Sequence, residues 1–184
     1  AVDDLELDIT HIIRGEDHVT NTAVQIQIME ALSGQPNAIQ FAHLALISGR
    51  QGEGLSKREG SLSLVQLHRD GLEPMSINSL LAKLGTSDPI IPHISLEGVL
   101  KEFDIKRFGR ATPKLDPEDL WQMNSRILQL IPFDQAKPRL DAMGLVGTTP
   151  EFWTLAQNNI IKFHDIRDWW TICYGHVTFK EENI

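Results

Sequence analysis

Three glycines within six residues, Gly49, Gly52 and Gly54, follow an apolar run at 41–47 and open onto Ser56, Lys57 and Arg58. Glycine lets a backbone bend sharply and approach another molecule closely. The short apolar run reads as a buried strand. The chain must therefore build a sheet whose strand end delivers pliable backbone, N–H groups and two cations. That combination suits a loop closing over phosphates. A solvated hairpin carrying a Lys-Arg pair has the same composition, and the loop alone does not choose between them. Spacing excludes two familiar nucleotide loops. A P-loop needs glycine followed at once by Lys and then Ser or Thr, whereas Ser56 here precedes Lys57. A dinucleotide fingerprint needs a third glycine where Lys57 stands.

Upstream, Ile9, Ile12 and Ile13 read as a second buried strand ending at Arg14, with Gly15 allowing a tight exit. Thr20 or Asn21 can cap a following helix. Along it Val24, Ile28 and Leu32 recur at i, i+4 and i+8, with Met29 alongside, and Gly34 ends it. Strand, turn, helix and strand over 9–47 make half of an α/β nucleotide-binding unit. Ligands of such sheets sit at the carboxyl ends of the strands, where Arg14 to Asp17 and the stretch 48–58 would both fall. A guanidinium on a strand end recognises a carboxylate through two parallel hydrogen bonds. A salt bridge from Arg14 to Glu16 or Asp17 is the structural alternative.

Composition bounds the rest. With 184 residues, 41% of them hydrophobic and 23% charged, the chain can bury an ordinary core in one domain or in parts of two or three. Cys173 is the single cysteine, so no internal disulfide and no cysteine cluster for zinc is expected, and the seven histidines show no i,i+4 pair. The acidic start, Asp3-Asp4-Leu5-Glu6, is unlike a signal peptide, and no stretch approaches a membrane span. A soluble, cytoplasmic setting without membrane partners is the expectation. The net charge of −8 argues against nonspecific nucleic-acid binding by the whole chain. Within 101–114, however, five cations (Lys101, Lys106, Arg107, Arg110, Lys114) outnumber two acids, Glu102 and Asp104. That run reads either as a solvated face or as a basic stripe for RNA.

Beyond the loop the pattern turns helical. Leu64, Leu67 and His68 mark a short helix ended by Gly71, and Pro74 precedes a second with Ile77, Leu80, Leu81 and Leu84 on one face, stopped at Gly85. Residues 86–94, holding Pro89 and Pro92, read as a loop. Ser95 starts a helix with Leu96, Val99, Leu100 and Phe103 apolar. Asp116 is a good N-cap with Pro117 at the first helical position, opening a helix through Leu120, Trp121, Met123 and Asn124. Aromatic-containing helical stretches follow over 133–143, 150–163 and 166–174. Trp153, Trp169 and Trp170 at helical spacing read as core before they read as platforms for stacked bases.

Two motifs in order, Arg14-Gly15-Glu16-Asp17-His18 and Gly54-Leu55-Ser56-Lys57-Arg58, with a Phe41-Ala42-His43 strand between them, resemble the second half of the catalytic domain of class I glutamyl-tRNA synthetases. The Gly-Glu-Gly-Leu-Ser-Lys-Arg form resembles the variant of alphaproteobacterial members. The resemblance runs through Asn124 and more loosely to the end. It implies glutamate activation by ATP, with accompanying Mg2+, to glutamyl-adenylate, then transfer to the 3′ end of tRNA. L-glutamate, ATP and tRNA for glutamate, or for glutamate and glutamine both, would be the partners. Arg14 would bind the amino acid and Asp17 the ATP ribose, with Glu16 and His18 in support. Ile47 would lie against adenine, flanked by His43, while Gly54, Leu55, Ser56, Lys57 and Arg58 would clamp the phosphates. Most members carry Lys where Gly54 stands, so Lys57 and Arg58 would carry more of the charge neutralisation. The run from Lys101 to Lys114 would touch tRNA. No metal ligands are implied in this segment.

The implied fold is an α/β remnant, the second half of a Rossmann-type class I catalytic domain. A mainly α-helical stem-contact fold and the start of an all-α bundle would follow. The corresponding boundaries are 1–70, 71–131 and 132–184, the last being the start of an anticodon-binding domain. The opening Val2-Asp3-Asp4 resembles a mid-domain turn, and the family's His-Ile-Gly-His motif is absent from the sequence. A fragment inactive on its own is therefore expected. The alternative is a stand-alone, non-catalytic tRNA-binding module derived from a synthetase, although a pure binder has no need of Arg14, Asp17 and Lys57 together. A Ser-Lys hydrolase built on Ser56 and Lys57 is disfavoured, because adjacent residues rarely face one substrate atom and no Ser-x-x-Lys spacing exists there.

Overall fold

A computed structural model describes residues 1–36, 39–52, 54 and 63–175. The chain divides into two compact units, Ala1–Gly54 with Gly85–Ser87 and Asp104–Leu115, and Leu55–Leu84 with Asp88–Phe103 and Asp116–Ile184.

The first unit holds a short helix α1 (Val2–Glu6), strand β1 (His11–Gly15), helix α2 (Val19–Ser33) and strand β2 (Gln40–Leu44). A single 3-10 turn, Glu16–His18, leads from β1 into α2. The strands are parallel, with His11 opposite Gln40, Arg14 opposite His43 and Gly15 opposite Leu44. Parallel neighbours need a crossover, and α2 supplies it. Gly34 ends α2 in the left-handed conformation (φ 68°), its N–H bonded to the Glu30 carbonyl, as a C-terminal glycine should.

Burial in this unit departs from the sequence reading. Neither strand is buried: Ile9 and Ile13 are exposed and β2 is half-buried. On α2 the covered residues are Thr22 and Met29, whereas Val24, Ile28 and Leu32 are exposed. At 3.6 residues per turn, Thr22 and Met29 share one face, and the apolar stripe lies roughly 200–280° round the helix from Thr22. Apolar residues lie all round α2, and the described residues cover one face of it only.

In the second unit, helices α3 (Leu64–Arg69), α4 (Pro74–Leu81), α5 (Leu96–Glu102), α6 (Pro117–Leu128), α7 (Phe133–Ala142), α8 (Pro150–Ala156) and α9 (Ile166–Tyr174) follow one another. Asp116 caps α6 by accepting from the Glu118 N–H at 3.0 Å, with Pro117 in the first turn. Leu128, Ala136, Leu140, Phe152, Trp153, Phe163 and Ile166 form the core. Trp153 is 1% exposed and donates its indole N–H to the Ile131 carbonyl at 2.8 Å, which settles it as core. Trp169 and Trp170 pack against the same cluster half-buried.

α4 lies against α6 through a buried Asn124. Its Oδ1 accepts from the Glu73 N–H (2.7 Å) and the Ser76 hydroxyl (2.9 Å), and its Nδ2 donates to the Ile161 (2.6 Å) and Gly71 (3.4 Å) carbonyls. The amide is thereby saturated, as a buried polar group must be. Two apolar faces differ from expectation. Leu81 of α4 is exposed while Ser76 and Ser79 are buried, and on α5 Val99 alone is buried while Leu96, Leu100 and Phe103 are exposed. The buried serines bond to Asn124 and to the backbone of His93, beside Leu80, which is buried as expected.

Candidate active site

The carboxyl ends of β1 and β2 bring Arg14 and His43 side by side, because cross-strand partners share a face of the sheet. Phe41, two residues before His43, shares that face, and the Arg14 guanidinium carbon lies 5.6 Å from its ring centroid. α2 returns across the sheet and presents Thr22 and Gln25, one turn apart. Arg14 Nη2 donates to Thr22 Oγ1 and to Gln25 Oε1, each at 2.6 Å, with the His18 carbonyl at 3.5 Å. Thr22 also donates its hydroxyl to the His18 carbonyl at 3.0 Å and lies 2.8 Å from His43 Nε2.

Neither Glu16 nor Asp17 pairs with Arg14, so the salt-bridge alternative is not realised. Arg14 Nε is buried and finds no acceptor among the described residues. A buried donor without an acceptor is costly, about 1–3 kcal/mol or more for a charged group, and asks for an explanation. Both hydrogens of Nη2 are spent on Thr22 and Gln25, which leaves Nη1 and the buried Nε as the donors without a hydrogen-bond partner among the described residues. A carboxylate would gain the full two-bond contact only by replacing Thr22 or Gln25, since either fork of a guanidinium uses Nη2.

Asp17 lies in the 3-10 turn after β1, more than half exposed, with its carboxylate 3.8 Å from His18 Nε2. Gly15 gives the Asp17 and Leu46 side chains room at the start of this turn. A Cβ there would stand 2.5 Å from Asp17 Oδ1 and 2.8 Å from the Leu46 side chain. Ile47 and His43 are half-buried. Ser48, buried, anchors the base of the glycine-rich loop. It pairs with Gly54 on one side and with Lys114 on the other, exchanging backbone bonds with Pro113 (3.0 Å) and Leu115 (2.9 Å). The loop turns at Gly52, whose N–H reaches the Gly49 carbonyl at 3.0 Å with φ 91°. Leu55, Ser56, Lys57 and Arg58 lie outside the described residues.

Lys106, Arg107, Arg110 and Lys114 are exposed in this same unit, and Lys101, also exposed, belongs to the other. Among the described residues no group of three or more His, Cys, Asp or Glu side chains is arranged to hold a metal ion, and no helix is long and apolar enough to cross a membrane.

Sequence reasoning missed Thr22, Gln25 and Phe41. Their signal was available: Thr22 and Gln25 stand at i and i+3 on the helix after Arg14, and Phe41 stands at i−2 from His43 on the paired strand. Recognising them required the register of β1 on β2.

Residues 1–122 match the family described as class I tRNA synthetases (E and Q), catalytic domain. A glutamate–tRNA ligase of Azospirillum brasilense is 51% identical over 178 residues, covering 96% of this chain and 39% of the relative. Glutamate–tRNA ligase 2 of a Ruegeria species is 47% identical over 175 residues, covering 94% and 39%. A solved glutamate tRNA ligase from Elizabethkingia meningosepticum, in complex with its amino acid, superposes with a TM-score of 0.71 at 26% identity, over 91% of this chain and 38% of that one. The chain thus spans about two-fifths of the length of these relatives. With the strand-end arginine, the parallel pair and the glycine-rich loop all within the matched residues, the chain belongs to the class I tRNA synthetases for glutamate and glutamine.

Proposed function

We propose that these residues serve a glutamate–tRNA ligase, which activates glutamate with ATP and transfers it to the 3′ end of tRNA. The observation that carries the reading is Arg14. It is a guanidinium at a strand end, held by neutral partners, with a buried Nε that finds no acceptor among the described residues. A cation so placed is poised for a carboxylate, and the relatives' names point to glutamate. In the first step a carboxylate oxygen of glutamate attacks the α-phosphorus of ATP and pyrophosphate leaves. In the second, a hydroxyl of the terminal tRNA ribose attacks the acyl carbon and AMP leaves.

In this reading Arg14 binds the amino acid, Asp17 the ATP ribose, and the backbone of Ile47 the adenine, with His43 at its flank. Gly54 and Leu55 bring backbone to the phosphates, and Ser56, Lys57 and Arg58 neutralise the charge that develops on them. Mg2+ enters with ATP. Anchoring of the loop base at Ser48 supports this assignment, because a loop aimed at a transition state works best from a fixed hinge. Lys101, Lys106, Arg107, Arg110 and Lys114 would contact tRNA. Residues 1–70 would supply the second half of the catalytic domain, 71–131 the stem-contact fold, and 132–184 the start of the anticodon-binding bundle. The setting would be cytoplasmic.

Lys57→Ala in the full-length ligase tests the phosphate assignment. Losing one preorganised cation is expected to slow adenylate formation by on the order of 10²–10³, with little change in glutamate affinity. Unchanged turnover in that variant would overturn it.

A further inference from the structure

The hydroxyl of Thr22 has one hydrogen and two acceptor sites, and the structure uses all three. The hydrogen goes to the His18 carbonyl at 3.0 Å, and Arg14 Nη2 donates to the oxygen at 2.6 Å. His43 Nε2, 2.8 Å from the same oxygen, then has no hydroxyl hydrogen to accept and must itself donate. We infer that Thr22 is a positioning residue that sets Arg14 and His43 together, holding the arginine at one fixed angle and the imidazole with its proton on Nε2. This inference rests on the reading of Arg14 as the amino-acid site and His43 as a neighbour of ATP.

The arrangement has a chemical consequence. With Nε2–H turned inward to Thr22, a neutral His43 offers Nδ1 as an acceptor on its other edge. Thr22 itself is 8% exposed and makes no contact a ligand could easily replace, because each of its bonds is internal. Gln25 shares Arg14 Nη2 but bonds neither His18 nor His43, so it can yield to a ligand without disturbing the imidazole. One hydroxyl therefore couples the geometry of two substrate positions that belong to different strands.

Imidazole 15N–1H spectra and kinetics of the full-length ligase test this. The wild type should show His43 protonated at Nε2, with that proton protected from solvent exchange. Thr22→Val, which keeps the shape and removes the oxygen, should abolish the protection. It should also raise the KM for glutamate roughly tenfold, the scale of a lost bond to a charged group. Thr22→Ser should restore both, and Gln25→Ala should leave the His43 signals as they were. A His43 proton on Nδ1 in the wild type, or His43 signals unmoved by Thr22→Val, would overturn the inference. Altered His43 signals with an unchanged glutamate KM would uphold the coupling and instead refute Arg14 as the amino-acid site.

Discussion

Arg14 was legible as a carboxylate-binding candidate from its place at the end of an apolar run, but its environment was not. Sequence spacing offered Glu16 and Asp17 as partners because they are near in the chain. The fold offers Thr22 and Gln25, because a crossover helix brings back residues eight and eleven positions later. The neighbouring Gly15 shows the same difference. It was read as a tight exit, and the structure gives it a second duty, since a Cβ would press on Asp17 Oδ1 at 2.5 Å and on Leu46 at 2.8 Å. The φ of −68° at Gly15 suits any residue, so the demand is steric and not conformational. Gly15→Ala is accordingly expected to push Asp17 aside and raise the KM for ATP about tenfold, with a smaller effect on glutamate, in steady-state pyrophosphate exchange. Equal effects on both substrates would show that the turn collapses as a whole. Asn124 is a residue the sequence could only count as one more position on a helix. Its four bonds tie α4, the turn at Gly71 and the segment before Phe163 to α6. Asn124→Asp replaces two donated bonds with an oxygen facing the Ile161 and Gly71 carbonyls. It should cost about 3 kcal/mol in denaturant unfolding at neutral pH.

Helix boundaries were read best where a cap announces them. Asp116-Pro117 opens α6 and Ser95 opens α5, its Oγ accepting from the Gly98 N–H at 3.3 Å. The buried faces were read worst on α2 and α5, because apolar periodicity says that a helix has an apolar side and not what covers it. Val24, Ile28 and Leu32 on α2 are the plainest example. α5 and α8 share one design, a hydroxyl cap with glutamate two residues later: Ser95 with Glu97, and Thr149 with Glu151. The Glu97 carboxyl is held below its usual 4.5 by its own backbone N–H, then by the Ser95 hydroxyl and Lys101. Glu151 is lowered in the same way by its own N–H and then by Thr149. Because folding lowers both values, what these carboxylates contribute is present in full above about pH 4.5 and is lost as pH falls through the lowered values. Thermal unfolding of the Glu97→Gln, Glu151→Gln double variant should therefore show a shallower acid limb than the wild type below that pH. Parallel acid limbs would mean that the caps hold without their carboxylates.

At the scale of the whole chain, the two compact units divide the work of the sequence differently. The helical unit closes its own core around Trp153 and Leu140, and its helices, though not all of their buried faces, could be read from the pattern. The α/β unit is a parallel pair with one crossover, and its strands are at best half covered. Its family was nevertheless the most legible property of the chain, because the two motifs that carry the resemblance both fall within the residues that match the class I synthetase catalytic domain. Whether the site at Arg14 activates glutamate is decided by ATP–pyrophosphate exchange by the full-length ligase. The assay would include tRNA and compare glutamate with glutamine and aspartate. Exchange with glutamate is expected to fall by roughly a hundredfold in Arg14→Ala, the loss that follows when a charged partner of the substrate is removed from a buried site. Exchange that is indifferent to the amino acid supplied, or that survives Arg14→Ala intact, would contradict glutamate activation at this site.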